Sequence, residues 1–216
     1  MNGLLKQLRT PAKATLLLII FYSVGIVGMA ITSTRPLFIR LTPFALLLSA
    51  FLLIVNHKGK FTSTHLRVYF LIFLAGFLLE MLGIHTGWIF GDYTYGSGLG
   101  FKIAETPLMI GLNWLMLVYV TASVFQSLKW NAVGVILGGA TLMVIYDSIM
   151  EQIAPGMDMW SWSGDIIPLK NYLTWWLVAA AMHTLLAVTG IRIKNPVAPA
   201  VFAIQFLFFI ILYFVM

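Results

Sequence analysis

Seven apolar runs, each long enough to cross a bilayer and separated by short polar connections, account for nearly all of this chain. They lie at about residues 14–34, 37–55, 66–87, 105–126, 131–151, 171–190 and 197–216. A helix needs about 20 apolar residues to span the hydrocarbon core. Inside that core every backbone N–H and C=O must find a partner within the protein, which leaves only helices and closed barrels. The runs are continuous, whereas a barrel is written in alternating segments of about ten residues. The expected fold is therefore all-α: a polytopic membrane helical bundle of about seven transmembrane helices, forming a single transmembrane domain over residues 1–216. Only 9% of residues are charged, against about 25% in a soluble domain.

Lys6, Arg9 and Lys13 precede the first run, as in a secretory signal, but the run is longer than the roughly 7–15 apolar residues of such a signal. It reads as an uncleaved first helix. The net charge of +6 does not imply nucleic acid, because the basic residues flank helix ends, where membrane topology places them. On the N-terminal side lie nine: Lys6, Arg9, Lys13, Lys58, Lys60, Arg67, Lys129, Arg192 and Lys194. The other side carries four: Arg35, Arg40, Lys102 and Lys170. The imbalance predicts a cytoplasmic N-terminus and an outward C-terminus.

With no cysteine in the chain, disulfides, thiolate chemistry and Cys-ligated metals are excluded. None of His57, His65, His85 and His183 has a partner at zinc-site spacing, so no metal is expected. Gly96-Ser-Gly-Leu-Gly100 lacks a Walker lysine and the strand and helix context of a dinucleotide loop, so no cofactor is implied. A retinal Schiff base needs a lysine deep in a helix, and the last run has none.

All seven carboxylates (Glu80, Asp92, Glu105, Asp147, Glu151, Asp158 and Asp165) fall on the side opposite the N-terminus. Glu80 follows the wholly apolar stretch Phe70–Leu79, and an ionisable group inside a span is costly enough to mark a candidate site. Its other reading is hydrogen-bonding glue between helices. Glu105 is expected to open the fourth helix. Asp147 and Glu151 stand four residues apart on one helix face, about 5–6 Å from each other. Two carboxyls that close in a dry setting do not both ionise easily, which leaves an acid able to donate its proton; the alternative is a pair solvated at the helix end.

Two connections on the acidic side are rich in rings. The first runs from Trp88 to Gly100 and holds Phe90, Tyr93 and Tyr95; the second holds Trp160 and Trp162, with Asn171, Tyr172, Trp175 and Trp176 beyond. They form either a belt at headgroup depth or a cap over a cavity. Asn113 and Trp114 are candidate cavity lining, since a buried amide demands a partner. Gly83, Gly87 and Gly91, like Gly134 and Gly138, repeat at the spacing of close helix packing. His85 lies close enough in sequence to Glu80 to relay protons, or has a structural role.

The motif Glu80-x2-Gly83-x2-Thr86-Gly87-Trp88-x-Phe90-Gly91-x-Tyr93-x-Tyr95-x3-Leu99-Gly100, with Pro107 and Trp114 after it, resembles the signature of membrane-bound carotenoid biosynthesis proteins typified by the CruF-type carotenoid 1,2-hydratases. Asp147-x3-Glu151, Trp160-x-Trp162 and Ile167-Pro168-x2-Asn171-Tyr172-x2-Trp175 resemble its second block. The likeness covers about residues 66–190. It implies a multi-pass enzyme of the cell (inner) membrane that acts without a cofactor and adds water across the terminal C1,C2 double bond of an acyclic or monocyclic carotene. Association with other carotenoid enzymes is a further implication. Protonation of the less substituted carbon makes a tertiary cation, which water then captures. On this reading the acid is Asp147 or Glu151, and Glu80 is the base or the orienting partner, with Asp92 and Asp165 as second choices. Trp88, Tyr93, Tyr95, Trp160 and Trp162 would wall the cation, and Asn113, Trp114, Asn171 and Trp175 would line the substrate site. An end-group cyclase would share the protonation step, and a non-enzymatic lipid or carotenoid carrier would use the acids to bind protons.

Overall fold

A computed structural model describes residues 2–216. A short helix α1 (Asn2–Leu8) precedes seven long ones: α2 (Pro11–Ala30), α3 (Arg35–Asn56), α4 (Ser63–Thr86), α5 (Leu108–Ser127), α6 (Ala132–Ile153), α7 (Leu169–Val188) and α8 (Ala198–Val215). Each long helix matches one apolar run to within a few residues. Six of them, all but α7, are long and apolar enough to cross a membrane, and the chain is a membrane protein. Although α7 has 20 residues, Lys170, Asn171, Trp175, Trp176 and His183 dilute its apolar character.

Local chemistry sets the helix boundaries. Pro11 opens α2, where its missing N–H costs nothing. The Thr62 side chain caps α4 by accepting from the His65 N–H, and Asn131 caps α6 by accepting from the Gly134 N–H at 2.8 Å. Gly87 ends α4 in the left-handed conformation at φ 65°, which a Cβ would strain. The glycine repeat is thus not one helical stripe: Gly83 is in α4, Gly87 caps it, and Gly91 (φ 130°) lies in the following loop.

The central helix is α5, packed against α3, α4, α6, α7 and α8. Of its apolar stretch 67% is buried, against 22% for α3 at the periphery. Small residues permit the closest approach: a Cβ on Gly76 of α4 would lie 2.6 Å from the Trp114 Cβ, and one on Gly111 of α5 would lie 2.8 Å from the Phe73 carbonyl. Apolar side chains such as Leu16, Ile20, Phe44, Leu66 and Phe70 are exposed, as lipid contact requires.

The acidic end carries what strand structure there is. Between α4 and α5 run β1 (Tyr93–Tyr95), β2 (Lys102–Ile103) and β3 (Thr106–Pro107), and between α6 and α7 runs β4 (Trp160–Trp162). β2 and β3 pair as a minimal hairpin whose turn residues, Ala104 and Glu105, both have positive φ. Glu105 therefore does not open a helix; it sits exposed in this turn, 3.9 Å from Lys102, and α5 begins at Leu108. β1 pairs antiparallel with β4. The chain ends at the same end of the bundle: the Met216 side chain lies 3.3 Å from where Gly156 would carry a Cβ.

Candidate active site

The β1–β4 pair decides the orientation of the aromatic loops. Tyr93 stands opposite Trp162 and Tyr95 opposite Trp160. Because side chains alternate along a strand, Thr94 and Ser161 face out while the four rings turn in, and the burial pattern of both strands follows that alternation. Tyr93 and Trp162 approach to 4.9 Å between ring centroids. The loops form a lid, and its polar tips point down.

Beneath the lid three carboxyl groups meet. Glu80 comes from α4, Asp147 and Glu151 from adjacent turns of α6, and all three are buried. Glu80 Oε2 accepts the Tyr93 hydroxyl at 2.6 Å and the Tyr95 hydroxyl at 2.7 Å, and its Oε1 accepts Trp114 Nε1 at 2.9 Å. Glu151 Oε2 accepts Trp160 Nε1 at 2.8 Å and Trp162 Nε1 at 2.6 Å; its Oε1 accepts Asn171 Nδ2 at 2.9 Å. Burial first, and the Glu80 charge second, push the Tyr93 and Tyr95 phenols up, so both remain donors.

Asp147 is held differently. Its Oδ2 receives only the long contact from Asn171 Nδ2 at 3.4 Å, and its buried Oδ1 has no partner. Five of the six acid oxygens accept hydrogen bonds and the sixth accepts none. An unpartnered buried oxygen of this kind calls for an explanation.

The remaining predicted residues fall in different places. Tyr93, Tyr95, Trp114, Trp160, Trp162 and Asn171 donate to the acids. Trp175 stacks on Trp114 at 3.9 Å between centroids and lines the space around the acids. Trp88 is 84% exposed, and Asp92 and Asp165 are exposed on the outside of the lid, so these three lie apart from the cluster. His85 is exposed and bonds back to the Met81 carbonyl, not to Glu80. Asn113 is buried and lines a separate cavity.

The space around the acids amounts to only about 10 Å³. Beside it lies a cavity of about 240 Å³ between α2, α3, α5, α6 and α8, roofed by Leu99, Met157, Met159 and Trp160. Ile110 and Trp160 belong to both spaces and form the partition. The sequence reading missed most of this cavity, including Tyr22 and Gln205. A signal existed for Gln205, the one amide in the last apolar run, since a polar side chain inside a span needs a partner. Among the described residues no group of three or more His, Asp and Glu is arranged to hold a metal ion.

Residues 41–216 match the family model described as "Carotenoid biosynthesis protein". This stretch contains every acid and every lid residue but not α2. No curated protein and no solved structure matches the chain.

Proposed function

Since the chain belongs to the carotenoid biosynthesis protein family, we propose that it is a carotenoid 1,2-hydratase in which Asp147 supplies the proton. The observation that carries this assignment is the unpartnered Asp147 Oδ1. Each oxygen of Glu80 and Glu151 already accepts at least one hydrogen bond, which favours the carboxylate over the acid. Asp147 Oδ1 accepts none, and as an O–H it is free to transfer its proton.

The reaction balances without a redox partner. The π pair of the terminal double bond takes the Asp147 proton at the less substituted carbon, leaving a tertiary cation and the Asp147 carboxylate. Water forms the C–O bond, and the surplus proton returns to Asp147. Glu80 and Glu151, whose carboxylate forms their six donors favour, oppose the developing positive charge in a water-poor site. The indole faces of the lid add about 0.5–2 kcal/mol per cation–π contact.

The neighbouring cavity supports a polyene end group as the ligand. About 240 Å³ exceeds the roughly 150 Å³ that holds benzene and falls short of the roughly 300–1,000 Å³ of drug-sized sites. One isoprenoid end enters, and the rest of the molecule stays in lipid. For the alkene to touch Asp147, Ile110 or Trp160 must swing aside. The excess of Lys and Arg at the opposite end supports insertion in the inner membrane with the N-terminus cytoplasmic and the acids outside.

Co-expression in a host that accumulates lycopene, followed by mass spectrometry of the pigments, tests the reading. A product heavier by one water, lost in Asp147→Asn, is expected. An isomer of unchanged mass would make the protein a cyclase, and unaltered pigment would leave the carrier.

A further inference from the structure

Hydration needs a water molecule as well as a proton, and the cavity that receives the alkene is almost entirely apolar. Asn113 is the exception on its α5 wall. It is buried to 7% exposure and lines the cavity, and among the described residues its amide makes no hydrogen bond. An amide in such surroundings is costly unless a ligand completes it. Across the cavity, Gln205 of α8 donates its Nε2 to the Tyr22 hydroxyl at 2.7 Å and to Ser49 Oγ at 3.3 Å. That leaves its carbonyl oxygen without a donor among the described residues. Thr42, also on the wall, is already bonded back to the Phe38 carbonyl.

We propose that Asn113 and Gln205 hold the water that attacks the cation. This rests on the hydration reading above and adds the origin of the nucleophile. A bound water needs two to four polar partners, and these amides supply both a donor and an acceptor in a chamber otherwise suited to hydrocarbon. Asn113 stands three residues beyond Ile110, on the same face of α5, and Ile110 is part of the partition in front of the acids. Water at Asn113 is therefore beside the route by which its surplus proton returns to Asp147. The water's lone pair forms the C–O bond to the tertiary carbon, and the resulting oxonium gives its proton to the carboxylate that protonation created. Without that water the cation loses a proton to regenerate an alkene or closes on a double bond of its own chain, and neither exit gives the alcohol.

This branching provides the test. Membranes carrying the full-length chain are supplied with lycopene in D2O, and both the alcohol and the deuterium in recovered carotene are measured. In Asn113→Leu and Gln205→Met the alcohol is expected to fall at least tenfold, while deuterium in recovered carotene stays level or rises because protonation continues. Asn113→Ser, smaller but polar, is expected to keep part of the alcohol. Unchanged alcohol in Asn113→Leu and Gln205→Met overturns the proposal. So does a parallel loss of alcohol and deuterium, or an equal loss in Asn113→Ser and Asn113→Leu, because either result makes these side chains packing elements. If the wild-type chain yields neither alcohol nor deuterated carotene, the hydration reading itself has failed.

Discussion

The two ends of the bundle bury polar groups in opposite ways. Away from the lid, the amides and rings act as staples. Asn195 donates to the Leu53 carbonyl at 2.8 Å and to the Tyr119 hydroxyl at 3.0 Å, while its own oxygen accepts from the Val197 N–H at 3.0 Å. Gln126 clasps the same connection through the Ile191 carbonyl and the Ile193 N–H, and His57 closes on Tyr119 at 2.7 Å. Every one of these groups is neutral or half-exposed, and each fixes a loop. The unpartnered atoms there, Asn56 Oδ1 and the Tyr69 hydroxyl, belong to an amide and a phenol, both far weaker acids than a carboxyl group. Under the lid the same economy of donors stops one oxygen short, at Asp147. Burial of a polar residue is thus a poor guide to function by itself. What separates Asn113 from Asn195 is whether its hydrogen bonds are all made inside the protein.

This contrast can be broken by substitution at each end. Asp147→Asn should cost about 10²–10⁴-fold in hydrated product, the usual worth of a positioned general acid, with little change in thermal unfolding; collapse of the fold instead would make Asp147 another staple. Asn195→Leu should do the reverse, lowering stability by about 1–3 kcal/mol through stranded partners. Its melting temperature in detergent should drop while product per folded molecule holds. Trp162→Phe keeps the ring but removes one donor from Glu151, and should lower turnover about tenfold, equivalent to about 1.4 kcal/mol. Full activity in that variant would detach the lid from the chemistry. The smallest effect concerns pH. Burial, and then the nearby His65, hold His57 below the ordinary histidine range, so its neutral form contributes stability that is intact above pH of about 6.5. That contribution is lost as the pH falls towards the folded-state value. Wild-type protein should melt slightly earlier at pH 5 than at pH 7, and His57→Gln should lose part of the difference.

The helices were legible because a 20-residue apolar run in lipid has a single structural solution. Glu80, Asp147 and Glu151 were legible for a related reason: each carries an ionisation cost that only a partner can offset. The lid was only half legible. Residue type could not tell a belt from a cap, since Trp88 and Trp160 are the same amino acid and end up exposed and buried respectively. What separates them is the pairing of two three-residue strands distant in sequence, and strands that short have no period to detect. The cavity was the least legible part. It is assembled from α2, α3 and α8 as well as α5 and α6, and its few polar members interrupt apolar runs singly, without the charge that drew attention to Glu80.

The β1–β4 pair also limits how this protein can change length. Moving either strand by one position along its partner would exchange Tyr93, Tyr95, Trp160 or Trp162 for Thr94 or Ser161 at the inner surface. Two of the six donors would then be withdrawn at once. A single residue inserted within either three-residue strand would therefore withdraw donors from the acids, whereas one added to the connections outside the strands leaves the pairing intact.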